Sequence, residues 1–248
     1  AGTEAPFFDA KNPPRPVLGS GKVRFVGEPV AVVVAESPET AVDARDLIFV
    51  DYEPLDVVID PEEALAETAP IIHEAWDSNL AFRWEPTKED LSEIFAQAAY
   101  TVELRLENQR VIPNAMEPRA AVASHDAASG ITTVWTTTQS AHGAKEALVN
   151  VLGIDEESLR VIAPEVGGGF GAKAPVYPEE IVATYLTRRL GQPIKWVATR
   201  SEDYVSTYHG RGQTDTIRLA ADENGRVLAA DLHILFDCGA YYSQIAPF

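Results

Sequence analysis

The chain has 248 residues, 46% apolar and 23% charged, which suits one large or two modest domains with real cores and excludes a disordered polymer. Its formal charge of −18 argues against nucleic acid and anionic membrane surfaces as partners, because their phosphates would be repelled. The lone cysteine, Cys238, can build neither a disulfide framework nor a cysteine metal site and fits a reducing, cytoplasmic compartment, and no apolar run is long enough to span a membrane.

Residues 1–21 are proline-rich and without periodicity, and read as extended loop. Val23 to Ala35 is almost continuous apolar sequence broken at Gly27-Glu28-Pro29, and the β-branched run Val30 to Ala35 predicts a fully buried strand. Ser37-Pro38 supplies an N-cap and a proline at the first helical position; a second strand is expected over Ile48 to Tyr52. Pro61 to Ala66 is a short helix candidate, Pro70 to Arg83 reads as connecting chain, and Asp90 to Ala99 carries Leu91, Ile94, Phe95 and Ala98 at helical spacing. A domain boundary is expected between Asn79 and Pro86, giving domains 1–82 and 83–248.

The second part alternates clearly. Tyr100 to Glu107 has period two, with Val102, Leu104 and Leu106 opposite Glu103, Arg105 and Glu107. Arg119 to His125 and Ile131 to Thr138 predict strands around the polar turn Asp126 to Gly130. A helix over His142 to Leu152 stops at Gly153; a strand over Leu159 to Ala163 follows; a second helix runs from Pro178 to Leu190. After a strand at Ile194 to Ala198 and a helix start at Ser201-Glu202-Asp203, two strands, Gln213 to Ala220 and Val227 to Phe236, flank the turn Asp222-Glu223-Asn224-Gly225. The proline-rich start and the apolar strand near Phe248 suggest an internal fragment of a longer polypeptide.

Between Ala163 and Pro178 lies Val166-Gly167-Gly168-Gly169-Phe170-Gly171-Ala172-Lys173. Its glycines carry no Cβ to hold a ligand off the backbone and permit positive φ, so exposed N–H groups can receive an anion or an oxo group. A Walker A loop fails here, because Ala174 stands where the hydroxyl that binds Mg²⁺ is required. Gly167, Gly169 and Ala172 satisfy a dinucleotide fingerprint, but the next strand ends in Thr199-Arg200 and offers no acidic residue for a ribose. A nicotinamide-dependent dehydrogenase therefore stays an alternative, as does a plain tight turn.

Seven stretches in order resemble one family, the molybdenum hydroxylases, which includes the large subunits of carbon monoxide dehydrogenase, aldehyde oxidoreductase and xanthine dehydrogenase. They are VRFVGEPVA from Val23, VDYEPL from Val50, MEPR from Met116, WTTTQS from Trp135, the glycine loop with Lys173, RSED from Arg200 and DCGAY from Asp237. The resemblance implies an α+β chain: part of an α/β hammerhead domain, then the N-terminal part of a molybdopterin-binding α+β domain. It implies a molybdenum–molybdopterin cofactor, the cytosine dinucleotide form among the candidates, and a small-molecule substrate. The partners implied are the remainder of the large subunit and subunits or domains carrying FAD and iron–sulfur clusters.

Residue by residue, the resemblance places the Gln139 amide near an oxygen ligand of the metal, and Gly168, Gly169, Phe170 and Gly171 in the loop whose N–H groups face the cofactor. Gln139 and Phe170 would thus reach the metal only indirectly. The alternative for Gln139 is an N-cap, and for the Phe170 ring a core position. Ala174 replaces the glutamate that binds purine in xanthine dehydrogenases, which disfavours purines over aldehydes, CO or other heterocycles. The family's glutamate base matches no residue of this chain, so no catalytic residue is assigned. Glu117 and Arg119 read as a structural ion pair, Cys238 as a small buried filler, and His125, His142 and His209 have no ligand spacing. A non-catalytic interaction module of the same ancestry is a further alternative.

Overall fold

The structure, a computed structural model, describes residues 11, 13–85 and 89–241. It forms two compact units drawn from separate stretches of chain: Pro14–Leu55 with Ile112–Tyr208, and residues 11 and 13 with Asp56–Val111 and 209–241. Of the expected loop over 1–21, residues 1–10 and 12 lie outside the described residues, and so does Pro86 at the expected boundary.

The first unit is built on a four-stranded sheet in the order β4-β3-β2-β5, from β2 (Ala120–Asp126), β3 (Ile131–Thr136), β4 (Leu159–Ile162) and β5 (Ile194–Val197). β2 is antiparallel to β3 and β5, while β3 and β4 run parallel. Parallel neighbours need a crossover, and α3 (Ala141–Leu152) supplies it. Ser140 caps α3 by accepting the N–H of Gly143 at 3.3 Å, and Gly153 ends it in a left-handed conformation with φ 62°. α4 (Pro178–Leu190) enters on a proline and ends at Gly191 in the same way. Ala123, Val134, Leu148, Leu159 and Ala183 form the core between sheet and helices.

Two expected strands are not found. Val30 to Ala35 and Ile48 to Tyr52 join no sheet among the described residues, and Val32 and Phe49 stand exposed. A strand needs a neighbour to take its N–H and C=O groups, and composition alone does not supply one. The intervening helix forms as expected: α1 (Pro38–Asp46) begins at Ser37, whose hydroxyl accepts the Thr40 N–H at 3.2 Å. The break at Gly27-Glu28-Pro29 is a turn, with Glu28 accepting the Arg24 N–H at 2.6 Å, and Gly27 touches Val205 of α5 (Arg200–Ser206) so closely that a Cβ would not fit.

The second unit holds α2 (Ser92–Gln97) and an antiparallel sheet in the order β1-β6-β7, from β1 (Tyr100–Asn108), β6 (Gln213–Ala221) and β7 (Val227–Phe236). Register puts Glu103, Arg218 and Asp231 side by side on one face, where Arg218 bridges the two carboxylates and also stacks on Phe95 of α2. The other face carries Val102, Leu104, Leu219 and Leu232, all exposed. The period-two reading of β1 is thus right in phase, with its apolar side uncovered among the described residues. The Pro61 to Ala66 helix shrinks to one 3₁₀ turn, Glu63–Leu65, and the connecting chain after it packs through His73, which meets the Ala240 carbonyl at 2.6 Å.

Glu180, in the first turn of α4, is buried; its carboxylate accepts the Tyr177 N–H at 2.8 Å and the Thr136 hydroxyl. Burial lifts its pKa above the ordinary 4.5, against the lowering pull of those hydrogen bonds and of Arg119. A carboxyl that ionises later in the folded than in the unfolded chain contributes stability in full below the unfolded value and loses it as pH rises through the folded one. Urea unfolding between pH 4.5 and pH 8 should therefore show Glu180→Gln gaining stability relative to wild type as pH rises. Parallel pH profiles for the two proteins would contradict the assignment.

Candidate cofactor site

β3 and β4 are parallel neighbours, so the loops that follow them leave the same edge of the sheet. The loop after β3 carries Gln139; the loop after β4 is the glycine loop. Topology alone brings together two motifs that stand far apart in sequence. The contact is direct. Gln139 Oε1 accepts the N–H of Gly171 at 2.9 Å and of Lys173 at 3.1 Å, and the Gln139 N–H donates to the Lys173 carbonyl at 2.9 Å.

This arrangement fixes the amide. Oε1 is occupied twice, so the end of Gln139 left to a ligand is Nε2, a donor. Gly169 has to lack a side chain: a Cβ there would lie 2.6 Å from Gln139 Cδ. Among the described residues the N–H groups of Gly168, Gly169 and Phe170 donate to no protein acceptor. Three backbone N–H groups without a protein acceptor, that of Gly169 on a buried residue, therefore lie on the loop that holds the Gln139 carboxamide. Gly171, expected to face the cofactor, spends its N–H on Gln139.

Phe170 holds φ 51°, a left-handed conformation unusual for a bulky side chain, and is 73% exposed. Its ring is not a core aromatic. Gln139 is not an N-cap either, since Ser140 takes that role.

Behind the loop, Lys173 is buried and donates to the Glu117 carbonyl at 2.8 Å and to Glu117 Oε2 at 3.1 Å. The same carboxylate accepts the Gly167 N–H at 2.7 Å. Arg119 is buried elsewhere, with Glu179 at 3.1 Å, Asp203 at 3.2 Å and the Tyr177 ring at 3.9 Å. Glu117 and Arg119 are each in ion pairs, as expected in kind, but with different partners and not with one another. Arg200 ties down the segment before them by donating to the carbonyls of Ala115 and Met116, both at 2.7 Å. Sequence reading missed Lys173, Glu117 and Arg200 as supports of the loop. The available signal was a lysine ending a glycine loop with no phosphate motif to explain it.

The remaining candidates scatter. His125 meets Thr132 at 3.0 Å and His142 lies exposed on α3, and no group of His, Cys, Asp and Glu among the described residues could hold a metal ion. Cys238 is half-buried, and burial with the neighbouring Asp237 carboxylate pushes its thiol up to about 11, away from the thiolate that reactive cysteines use. A dinucleotide is poorly served. Pyrophosphate would need the N-terminus of α4, where Glu179 and Glu180 place carboxylates and Glu180 already takes the Tyr177 N–H. No helix among the described residues is long and apolar enough to cross a membrane.

The chain matches the family model of the molybdopterin cofactor-binding domain over residues 72–248, and that of the aldehyde oxidase and xanthine dehydrogenase a/b hammerhead domain over 3–56. It belongs to the molybdenum hydroxylase large-subunit family, and its α+β fold is that family's. Among its relatives is the nicotine 6-hydroxylase large subunit of Paenarthrobacter nicotinovorans, 37% identical over 92% of this chain and 28% of that protein. The carbon monoxide dehydrogenase large chain of Afipia carboxidovorans is 36% identical over 93% of this chain and 30% of that protein. The crystal structure of quinoline 2-oxidoreductase from Pseudomonas putida 86 superposes with a TM-score of 0.85 at 37% identity, covering 88% of this chain and 28% of that one. The chain thus spans less than a third of the length of these relatives.

Two substitutions test the site. Gly169→Ala should dislodge Gln139 and expose the N–H groups of Gly171 and Lys173 to faster hydrogen exchange, while core amides such as that of Leu148 stay protected; unchanged exchange at Gly171 would contradict the packing. Phe170→Gly should change the unfolding free energy by under about 1 kcal/mol, because relief of the left-handed strain offsets the added freedom of the unfolded chain. A core phenylalanine would cost about 3–5 kcal/mol on truncation, and a loss of that size in urea unfolding would contradict the exposed placement.

Proposed function

We propose that this chain supplies one wall of the molybdenum–molybdopterin site in the large subunit of a molybdenum hydroxylase. The observation that carries the reading is the donor cradle: Gln139, pinned through Oε1, beside the N–H groups of Gly168, Gly169 and Phe170. Its chemistry fits the group. An anionic cofactor that presents oxygen acceptors is held by backbone and amide donors, and a Cβ at Gly169 would fill the space that Gln139 needs. When bound, such a cofactor supplies the redox chemistry that puts oxygen from water into a substrate. Gln139 and the loop would orient it and stabilise negative charge on its acceptor edge.

The finer assignments belong to the same proposal. Residues 1–82 form a hammerhead portion and 83–248 the beginning of the cofactor-binding domain. The substrate is a small aldehyde, CO or a non-purine heterocycle, because Ala174 has no side-chain group to hydrogen-bond a purine. The cofactor is of the molybdopterin type, its cytosine dinucleotide form included, and electrons pass to iron–sulfur and FAD groups on partner subunits in the cytoplasm. The chain alone neither retains the cofactor stably nor turns over.

Metal analysis tests this. In the full large subunit with its partners, expressed in a host that makes the cofactor, about one molybdenum per large subunit is expected. Gln139→Ala and Gly169→Ala should both lower it, and the chain alone should carry little. A metal-free wild-type subunit would contradict the reading, and saturable NADH binding to the chain would favour the dehydrogenase alternative instead.

A further inference from the structure

We infer that Lys173 is the positioning residue that holds the cradle in place, with the Gln139 carboxamide turned to donate. It grips both sides of the site at once. Its main chain takes the Gln139 side: its N–H reaches Gln139 Oε1 at 3.1 Å, and its carbonyl accepts the Gln139 N–H at 2.9 Å and the Thr138 hydroxyl at 3.2 Å. Its ammonium takes the opposite side, through the Glu117 carbonyl at 2.8 Å and carboxylate at 3.1 Å. Glu117 in turn fixes the start of the loop, accepting the Gly167 N–H at 2.7 Å and donating its own N–H to the Gly167 carbonyl at 3.1 Å.

The free donors Gly168, Gly169 and Phe170 lie between the two anchored ends, Gly167 and Gly171. Glycine-rich backbone loses more conformational freedom on ordering than any other, so an untethered loop would not hold its N–H groups in one place. Lys173 is 3% exposed, and removing a lysine from water gains little stability even when it is paired. What the buried ammonium adds is geometry: it ties the strand-side anchor to the residue that also clamps Gln139. Tethered at both ends, the loop keeps its unpaired N–H groups and the Gln139 Nε2 donor in one arrangement and receives an acceptor edge without rearranging.

The inference rests on the reading of this cradle as the cofactor contact, but its test needs no cofactor. In ¹⁵N-labelled chain, the two side-chain amide protons of Gln139 should give a resolved pair of signals, and the Gly171 N–H should exchange slowly. Lys173→Met should collapse the Gln139 pair to solvent-like shifts and speed Gly171 exchange at least about tenfold. Lys173→Arg, which keeps the charge, should restore part of both. Val134→Ala, a cavity in the core, should lower stability and move neither signal. If Lys173→Met does not fold, Glu117→Leu should shift the same two signals in the same direction. Unchanged signals in Lys173→Met, or in Glu117→Leu where that variant decides, would overturn the inference, as would an equal disturbance in Val134→Ala. Loss of molybdenum retention in the full subunit would bear on the function and not on this result.

Discussion

Two hydrogen bonds to one oxygen organise the site. By accepting the N–H groups of Gly171 and Lys173, Gln139 Oε1 joins the loop after β3 to the loop after β4 and commits the rest of the carboxamide to donation. A free amide can face either way, and the choice is normally settled only by its neighbours. Here the neighbours settle it. The sheet delivers both loops to one edge, Gly169 leaves room for the carboxamide, and Lys173 and Glu117 hold the far end of the loop.

The supports behind the site are more charged than a structural core usually is. Arg119 lies under a tyrosine ring with two carboxylates and the hydroxyls of Ser206 and Thr207, and Glu180 is buried against Thr136. Buried polar groups of this kind are costly if any partner is lost and rigid when all are satisfied. Rigidity suits a site that works by preorganised donors, which gain from not having to reorient when charge develops.

Much of this was legible in the sequence because it is local. Ser37-Pro38, Gly153, Gly191 and the Asp222 to Gly225 turn each mark a boundary by a backbone preference that needs no distant partner, and the helices and hairpin follow them. The glycine loop and Gln139 were singled out together through family resemblance, but the polarity of the amide was not legible, since it depends on N–H groups more than thirty residues away. Distance also hid the partners of Arg119: Glu179 and Asp203 lie on other elements, and only the fold brings them to it. Val30 to Ala35 and Ile48 to Tyr52 misled for the opposite reason. Their composition is that of strands, and composition says nothing of whether a neighbouring strand is there to pair with.

Diffraction from the cofactor-loaded large subunit examines most directly which atoms meet the cofactor. It should place Gln139 Nε2 and the Phe170 N–H within hydrogen-bond distance of the same edge of the molybdenum cofactor, with Gln139 Oε1 still turned back on Gly171 and Lys173. A cofactor bound away from this edge of the sheet, or a Gln139 amide flipped so that its oxygen faces the metal, would contradict it.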